Sequence, residues 1–370
     1  MRITRIALED FRNYRSWSIQ PHPRVTIFTG PNAAGKTNAI EAVRLLTAGT
    51  SFRNPRWEDL VRHGSNRALA ELTAAGGGRL MRIGLAIESD GRHGFSVNGK
   101  RARSGRGVAG LVPSVVFTPD DLGLVKGPAE GRRREIDDLG EQLSATYGAL
   151  RREYDRVVRQ RNRLLKAEEV DQAQVDLWGE RLVGLGARLR VHRARLVGRL
   201  GVAAIPVHGR VCAGETLSVR YLKGPATDRE PVSDDATRLQ EEDALREEMG
   251  RRAPEEAARR ATLVGPHRDD IEFEVDGKPA RSFASQGQQR TIVLSWKLAE
   301  LAVVEEVTGG DAVLLLDDVM SELDATRRRA LTAEVGERVQ TFISTTNTGY
   351  FDDDLLADAL VVPVGGATVT

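Results

Sequence analysis

The chain has 370 residues, which allows two domains of ordinary size or one domain with a large insertion. Hydrophobic residues make up 40% of it, so the chain can bury a full core and is not generally disordered. The 54 Lys and Arg nearly cancel the 53 Asp and Glu, and a net charge of +1 excludes a uniformly basic nucleic-acid coat and a uniformly acidic tail. The charges are nevertheless segregated, because residues 1–210 carry 36 basic and 22 acidic side chains (+14) and residues 211–370 carry 18 and 31 (−13).

Sparse cysteine and histidine exclude two further classes of protein. The single cysteine, Cys212, cannot form an internal disulfide, and the six histidines show no metal-ligand spacing. Residues 1–10 already contain two acids, and nowhere do about 18 uncharged apolar residues run together. The sequence therefore predicts neither a signal peptide nor a membrane span, and we expect a cytoplasmic protein with no membrane partner.

The first third of the chain has the pattern of an α/β fold. Residues 3–8 alternate apolar and polar positions, and residues 25–28 form an apolar run before a glycine-rich turn, so both segments predict strands. A helix should follow, with its buried face at Ile40, Val43 and Leu46. Short runs beyond it predict further strands, at residues 80–87, 95–97 and 115–117.

The middle of the chain changes to a helical pattern. Residues 143–164 and 178–200 repeat apolar positions at steps of 3 and 4, which predicts a helical hairpin with two arms of about 35 Å. Residues 225–260 are polar and acidic and predict surface helices and linkers.

The last third returns to the α/β pattern. Its predicted strands are residues 271–275, 313–316, 342–344 and 360–364. We therefore expect an α/β domain formed by residues 1–122 and 262–370, interrupted by a mainly helical lobe at residues 123–261.

A phosphate-binding pattern lies between the second strand and the first helix. It reads G-x-x-x-x-G-K-T and consists of Gly30, Pro31, Asn32, Ala33, Ala34, Gly35, Lys36 and Thr37. The glycines let backbone N–H groups wrap the phosphates, and the helix directs its positive end at them. Lys36 adds a charge and the Thr37 hydroxyl can ligate Mg²⁺, so the sequence predicts a nucleoside triphosphate site.

The strand at residues 313–316 is followed directly by two acids. Asp317 would stand at the carboxyl edge of the sheet, where its carboxylate can hold Mg²⁺ opposite Thr37. Asp318 would then lie beside the attacking water, as the general base or water-orienting residue for hydrolysis of the γ-phosphate. Lys36, Asp317 and Asp318 are thus the candidate catalytic residues.

A third motif, residues 285–290 with the sequence SQGQQR, opens an apolar helix. At this point the sequence resembles the ATP-binding-cassette (ABC) superfamily, in which such a signature helix closes over the γ-phosphate bound by the other subunit. The resemblance implies that Ser285, Gly287 and Gln288 contact ATP in trans. It also implies that Asp324 lies at the dimer interface.

Within that superfamily the chain resembles the RecF family of SMC-like bacterial repair ATPases over nearly its whole length. The resemblance rests on residues 11–14 (FRNY), 118–122 (TPDDL), 265–270 (GPHRDD), the signature and the LLLDD strand. It implies an ABC-type P-loop ATPase head of mixed sheet and helices, with a second, mainly helical lobe. It further implies ATP and Mg²⁺ as cofactors, an ATP-dependent homodimer, and weak DNA-dependent ATPase activity in recombinational repair. The implied partners are duplex and gapped DNA and the mediators RecO and RecR, with help in loading the recombinase.

Two further residues each have two possible roles. Arg12 of the FRNY motif is a candidate contact to phosphate or ribose, and Asp120 is a candidate for the place of the cassette glutamine near the metal; a plain salt-bridge role is the alternative for both. Two departures from the cassette pattern suit slow turnover. The second acid after the strand is Asp318 where Glu is usual, and Thr346 and Asn347 stand where a switch histidine is expected.

Several interpretations stay open at this stage. An ABC transporter ATPase or the ATPase subunit of an SMC-like nuclease are rival functions, and a phosphate-loop kinase would give no reason for a signature helix. His267 could be a core histidine paired with Asp269 or a functional group. The arginines at residues 132–134 and the six within residues 181–200 are either DNA contacts or ordinary helix faces.

Overall fold

The structure is a computed structural model of the chain that describes residues 1–102, 105–224, 229–310, 312–334 and 339–365. The chain forms two compact units, one of Met1–Leu122 with Val293–Thr370 and one of Gly123–Ile292. Among the described residues, no helix is long and apolar enough to cross a membrane.

The first unit contains two sheets. The strands of the first sheet are β1 Arg2–Phe11, β2 Tyr14–Ile19, β4 Arg67–Gly76, β5 Arg79–Glu88, β6 His93–Val97 and β7 Lys100–Arg101. This sheet is antiparallel with the order β2-β1-β4-β5-β6-β7. The strands of the second sheet are β3 Val25–Thr29, β8 Ser114–Phe117, β13 Val313–Asp317, β14 Gln340–Thr345 and β15 Ala359–Pro363. It is parallel with the order β15-β3-β14-β13-β8, which brings the carboxyl ends of β3, β14 and β13 to one edge.

The core of the first unit surrounds one central helix, α1 Lys36–Ala48. The predicted face is buried, and 11 of the 13 residues of α1 are buried in all, so the helix is enclosed on every side. Its apolar side chains join one cluster with Leu72 of the antiparallel sheet and Phe342 of the parallel sheet. The further helices of this unit are the C-terminal part of α8 Gln286–Thr308, α9 Ala325–Glu334 and α10 Asp353–Ala357. Burial between two sheets fixes the start of α1, and with it the phosphate-binding turn.

The second unit is mainly helical. Its helices are α2 Gly123–Lys126, α3 Ala129–Leu143, α4 Ala145–Leu165, α5 Gln172–Val211, α6 Arg238–Arg259, α7 Ala280–Phe283 and the start of α8. Its strands are β9 Leu217–Lys223, β10 Glu230–Pro231, β11 Asp270–Val275 and β12 Lys278–Pro279, antiparallel in the order β10-β9-β11-β12. The predicted helical hairpin is α4 with α5, and its apolar seam includes Tyr147, Tyr154, Leu182 and Leu189.

The second arm of the helical hairpin departs from the sequence prediction, whereas the surface helix predicted within residues 225–260 is present. The second arm, α5, has 40 residues and is therefore about 60 Å long, because the helix continues past Leu200 and through Pro206 to Val211. The expected length of about 35 Å was wrong for this arm. Residues 225–228 of the predicted linker lie outside the described residues, and most of the remainder is one helix, α6.

The two compact units differ from the predicted domains at the second boundary. That boundary lies after Ile292, within α8, whereas the predicted return to the first domain is at residue 262. The physical reason is strand pairing: β11 hydrogen-bonds to β9, with Phe273 opposite Val219, and so joins the small sheet of the second unit.

Candidate nucleotide-binding site

The phosphate-binding pattern forms the turn between β3 and α1. Gly30 and Gly35 have φ angles of 152° and 112°, in the region that favours glycine. A Cβ atom on Gly30 would lie 2.1 Å from the carbonyl oxygen of Val364, and one on Gly35 would lie 2.3 Å from the side-chain amide of Asn13. Both the backbone angle and the surrounding space therefore require glycine at these two positions.

The turn is organised around the buried ammonium of Lys36. Its Nζ donates hydrogen bonds to the carbonyl oxygens of Gly30 at 2.8 Å and Pro31 at 2.9 Å. In α1, all of which the structure describes, no side chain caps the first turn and no acid lies in it. Uncapped N–H groups at the positive end of a helix, with a lysine beside them, form an anion-binding site.

Thr37 and Asp317 meet at the carboxyl edge of the parallel sheet. The Thr37 hydroxyl donates a 2.8 Å hydrogen bond to Oδ1 of Asp317, and Ser344 donates one of 2.6 Å to the same oxygen. Ser344 lies opposite Asp317 in the β13–β14 register, and so the neighbouring strand holds the carboxylate in place. A hydroxyl and a carboxylate oxygen are ligands that Mg²⁺ accepts beside nucleotide phosphates, so these residues fit the ion that the sequence predicts.

The backbone of Asp318 is hydrogen-bonded to Ser344, while one oxygen of its side chain has no protein partner in the described part of the chain. Its φ angle is 54°, and its N–H donates to the hydroxyl of Ser344 at 3.0 Å and to the Ser344 carbonyl oxygen at 3.1 Å. Its Oδ1 is buried without a hydrogen-bond partner among the described residues. Burial raises the pKa of this carboxyl above its ordinary value. An unsatisfied, partly buried carboxylate beside Asp317 is suited to bind and orient a water molecule.

The FRNY segment supports the phosphate-binding turn from outside. The side-chain amide of Asn13 donates a hydrogen bond to the carbonyl oxygen of Ala34 at 2.9 Å. The hydroxyl of Tyr14 donates one to the carbonyl oxygen of Gly35 at 3.0 Å. Asn38 in turn donates to Oδ1 of Asn13 at 2.8 Å. The segment therefore fixes two backbone carbonyls of the turn.

Arg12 is engaged by protein groups next to α1. Its Nε and one terminal nitrogen donate to the two carboxylate oxygens of Glu41 at 3.0 and 3.1 Å, and the other terminal nitrogen donates to the Asp59 carbonyl oxygen at 2.9 Å. Glu41 is fully buried in α1. The geometry thus gives Arg12 a salt bridge, and its predicted contact to phosphate or ribose stays a prediction.

Asp120 lies near the same sheet edge but outside the Thr37 and Asp317 contact. It is exposed, three residues beyond Phe117, which pairs with Leu316 in the β8–β13 register. Its neighbour Asp121 accepts the Thr118 backbone N–H at 2.6 Å and lies 3.4 Å from the buried ammonium of Lys297. Asp121 therefore has the structural role, and Asp120 is the exposed acid of the pair.

The signature segment in the second unit forms a reciprocal cap on α8. The backbone N–H of Gln288 donates to the hydroxyl of Ser285 at 3.2 Å, and the N–H of Ser285 donates to Oε1 of Gln288 at 2.9 Å. The Gly287 carbonyl oxygen accepts the Thr291 hydroxyl at 3.1 Å. Nε2 of Gln288 donates to Oε1 of Glu215 at 3.1 Å, a partner outside the motif.

Two further predicted positions are turn-forming residues. Asp324 is exposed and accepts the backbone N–H of Arg327 at 3.0 Å at the start of α9; this hydrogen bond lowers the pKa of its carboxyl. Asn347, at the expected position of a switch histidine, accepts the Gly349 N–H at 2.8 Å and closes the turn after β14.

The GPHRDD segment is part of a buried ion-pair network in the second unit. Asp269 accepts two hydrogen bonds from Arg190, at 2.8 and 3.1 Å, and Asp270 accepts two from Arg132, at 2.7 and 2.9 Å. All four residues are buried. Arg132 and Arg190 are therefore structural residues, and the hypothesis that they contact DNA was wrong.

His267 is also a structural residue. Its Nδ1 lies 2.7 Å from the hydroxyl of Tyr154, and its Nε2 lies 3.1 Å from the Thr262 carbonyl oxygen. Burial lowers the pKa of its imidazole to about 4, so it is neutral at physiological pH. It is the core histidine that one of the two interpretations expected, but its partner is Tyr154 and not Asp269.

Comparison with known proteins decides the family. The family model RecF/RecN/SMC N terminal domain matches residues 2–361. The DNA replication and repair protein RecF of Symbiobacterium thermophilum is 40% identical, over 94% of this chain and 92% of that protein. The protein of the same name from Synechococcus sp. (strain JA-3-3Ab) is 39% identical, over 96% and 93%.

This chain belongs to the RecF family. Its structure matches a solved structure described as "the recombination mediator protein RecF-ATPrS in RecFOR pathway", with a TM-score of 0.86, 28% identity, and coverage of 95% of this chain and 94% of that one. An SMC head bound to the C-terminal winged-helix domain of ScpA has a TM-score of 0.56 at 16% identity, covering 99% and 94%, and shows the shared fold alone. The predicted ABC/SMC-type ATPase fold is confirmed.

Three residues of the site were not identified from the sequence. Ser344 and Asn13 contact Asp317 and the phosphate-binding turn, and Glu41 binds Arg12. Ser344 ends the predicted strand at residues 342–344, and a polar residue at a strand end was a weak signal for it. Asn13 and Glu41 gave no signal as contacts, because their partners are 21 and 29 residues away in sequence.

Proposed function

We propose that this RecF-family chain is an ATP-dependent DNA-binding protein of recombinational repair. ATP closes it into a homodimer on DNA, and slow hydrolysis opens the dimer. The contact of 2.8 Å between Thr37 and Asp317 carries this proposal. It brings the phosphate-binding turn next to the end of β13 in a site suited to a nucleoside triphosphate with Mg²⁺.

Each side chain of the first unit has a distinct role in this proposal. Backbone N–H groups of residues 30–37 and the Lys36 ammonium bind the phosphates, while Thr37 and Asp317 hold Mg²⁺, which neutralises phosphate charge when bound. Asp318 accepts a proton from water or orients that water for attack on the γ-phosphate. A single short carboxylate in this role is consistent with weak ATPase activity.

The signature segment acts in trans in this proposal. Ser285, Gly287 and Gln288 of one protomer close over the γ-phosphate bound by its partner. The cap at the start of α8 supports this, because it holds the Ser285 hydroxyl at the exposed end of a helix. Asp324, exposed at the start of α9, lies at the interface between the protomers.

Family membership supports the assignment of partners. RecF relatives are DNA replication and repair proteins, and one matched structure is placed in the RecFOR pathway. We assign duplex and gapped DNA as the nucleic-acid ligands and RecO and RecR as protein partners, in the cytoplasm where the chromosome lies. Binding to the phosphate backbone should be salt-sensitive and independent of base sequence.

Two measurements on the full chain test this function. Light scattering should give the monomer mass without nucleotide and twice that mass with ATP and Mg²⁺; an unchanged mass would contradict the dimer. DNA binding should be measured on duplex, single-stranded and gapped DNA across a salt series. A salt dependence that is the same with and without ATP would contradict a clamp that ATP closes.

A further inference from the structure

One exposed helix ridge in the second unit is positively charged and has no role in the site described above. Helix α4 carries six arginines and two acids, Glu153 and Asp155. We refer to its four exposed arginines as the arginine ridge, which consists of Arg152, Arg156, Arg159 and Arg163.

The other charges of α4 are used within the protein. Arg161 is buried in an ion pair of 2.6 Å with Glu256. Arg151 is half-buried and lies 3.1 Å from Asp137 and 3.8 Å from Asp155. Glu153, the remaining acid, accepts a hydrogen bond of 2.6 Å from Arg181 of α5. Glu153 and Asp155 remain partly exposed, with 41% and 43% of their side chains accessible, so the solvent-facing side of α4 carries four arginines against two paired acids.

The ridge arginines make no close ion pairs with described residues, although Arg156 and Arg159 lie near enough to Glu153 and Asp155 for their charges to favour the ionised form of each carboxyl. Within the described part of the chain, none of them forms an ion pair of 4 Å or less, and Arg163 donates only to Gln160, at 3.2 Å. By contrast, four of the five arginines of α6 in the same unit are paired with acids, as Arg238 with Glu242 at 2.6 Å. A merely solvated helix face is expected to alternate charges in this second manner.

The spacing of the ridge makes its charge costly for the helix itself. The four positions follow one another at i, i+4, i+7 and i+11, so the side chains lie in one row opposite the seam formed by Tyr147, Tyr154 and Val157. Like charges at i and i+4 on an exposed helix face repel each other and destabilise the helix. The ridge thus opposes helix formation, which is expected if an anionic ligand neutralises it.

The neighbouring arm extends the same positive field. Glu153 has a lowered pKa, caused first by its hydrogen bond with Arg181 and further by the charges of Arg156 and Arg188. Arg156 of α4 and Arg188 of α5 therefore lie around one carboxylate. The positive surface continues across the hairpin and is not confined to one helix.

We propose that the arginine ridge binds the phosphate backbone of duplex DNA, an inference that rests on the proposed function and specifies its DNA-binding surface. The ridge spans 12 residues, or about 16 Å along the helix, which is long enough to meet several phosphates of a duplex. Arginine suits this ligand because its planar fork matches phosphate oxygens.

The duplex is favoured over single-stranded DNA for two reasons. Duplex DNA has twice the charge per unit length of one strand. Binding of single strands usually needs exposed aromatic side chains for base stacking, and both aromatic residues of α4, Tyr147 and Tyr154, are buried in the hairpin seam.

The test compares two quadruple variants of the full chain. The ridge variant is R152Q/R156Q/R159Q/R163Q. The control variant R238Q/R246Q/R252Q/R259Q removes the same charge from α6, where each of these four arginines is ion-paired. Affinity for a duplex is measured against salt concentration with a non-hydrolysable ATP analogue. The ridge variant should lose about 0.9 from the slope of log K against log salt for each lost phosphate contact, or about 2–4 in all, and the control should keep the wild-type slope.

A third variant shows whether charge is the cause. R152K/R156K/R159K/R163K keeps four positive charges and should retain most of the slope, which separates phosphate binding from damage to the fold. Circular dichroism should show that all variants keep their helix content. A variant that lost it would be replaced by single Arg→Gln changes, each expected to lower the slope by about 0.9.

The outcomes distinguish this inference from the proposed function. Equal loss of slope in the ridge and control variants, or no loss in the ridge variant, would overturn the inference while DNA binding by the unsubstituted chain stands. Equal loss on single-stranded and duplex DNA would overturn the assignment to duplex. An unsubstituted chain that binds no DNA in any nucleotide state would contradict the proposed function itself.

Discussion

The side-chain amide of Asn13 donates a 2.9 Å hydrogen bond to the carbonyl oxygen of Ala34, and so a residue outside the phosphate-binding pattern fixes its backbone. A Cβ atom on Gly35 would lie only 2.3 Å from the side-chain nitrogen of Asn13, which is too close for any other residue. The turn and the FRNY segment are therefore built as one unit. Residue 35 needs to be glycine partly because Asn13 lies so close.

Asn13→Ala should weaken ATP binding. One partly exposed hydrogen bond contributes about 1 kcal/mol, so the ATP dissociation constant should rise about fivefold with little change in thermal stability. Calorimetric titration with ATP measures this. Asn38→Ala is the matched control, because it removes a neighbour of Asn13 and leaves the contact to Ala34 in place; it should have a smaller effect. An equal effect of the two changes would contradict the role of Asn13.

The sequence predicted the parts of the site that depend on local order. The strand, turn and helix around Lys36, and the strand that ends in Asp317, all lie where the patterns indicate. Contacts between distant segments could not be predicted in this way. Ser344 holds Asp317 only because β14 lies next to β13, and strand order is not encoded in any single segment.

Buried arginines show the same limit for charge patterns. Arg132 and Arg190 looked like members of basic surface clusters, but each meets an Asp of the GPHRDD segment in the interior. Composition does not distinguish a buried arginine from an exposed one when its partner is 79 or 138 residues away. The exposed arginines of α4 became apparent only after the buried and paired ones had been identified.

Asp318→Asn should abolish hydrolysis and retain ATP binding, so that the ATP-bound dimer accumulates. The reason is that an amide cannot accept the proton of the attacking water. Phosphate release and light scattering measure the two effects. Asp318→Glu is the control that keeps a carboxylate and should retain turnover. Normal hydrolysis by the Asn variant would exclude Asp318 as the base.

The pH dependence of hydrolysis gives a separate test of Asp318. Burial raises the pKa of this carboxyl, and only its ionised form can act as a base. The rate should therefore fall on the acid side at a pH above the ordinary Asp value of about 3.9. The ATP-bound rate should be measured over a pH range in which circular dichroism shows the chain folded. A hydrolysis rate that falls only at or below the ordinary Asp pKa would contradict a raised pKa for Asp318.

Glu215→Ala should weaken ATP-driven dimerisation and leave ATP binding by the monomer unchanged. Glu215 accepts a hydrogen bond from the side-chain amide of Gln288, and the oxygen of the same amide accepts one from the Ser285 N–H. Without Glu215, the Gln288 side chain is no longer held in the position in which it caps Ser285. Ser285→Arg should give the stronger form of this phenotype by blocking the exposed helix end. Sedimentation with and without ATP measures dimerisation, and fluorescent-nucleotide titration measures binding. Normal dimerisation by Ser285→Arg would refute the assignment in trans.

Asp269→Ala should lower the free energy of unfolding at neutral pH by about 3–5 kcal/mol, because it leaves the buried guanidinium of Arg190 without its main partner. Burial alone would raise the pKa of Asp269, but the ion pair with Arg190 holds it below the ordinary value. The carboxylate therefore contributes stability above the unfolded-state pKa of about 3.9, and this is lost as the pH falls through the lower, folded-state pKa. Urea unfolding at neutral and acid pH should show the difference between variant and wild type narrowing as the pH falls.

The double change Arg190→Met with Asp269→Leu separates the ion pair from the packing around it. Removing both charges leaves no buried guanidinium without a partner, so the double variant should recover part of the stability that Asp269→Ala loses, although Tyr221 and Gly224 still lack the acceptor that Asp269 provides. Glu241 and Glu248 also contact Arg190, at 3.5 and 3.0 Å, and lose that partner in the double variant. The more exposed Glu248 can be solvated, and Glu241 still lies 4.0 Å from the ammonium of Lys223, so partial recovery is expected. A double variant no more stable than Asp269→Ala would mean that the whole network, and not this pair, holds the second unit together.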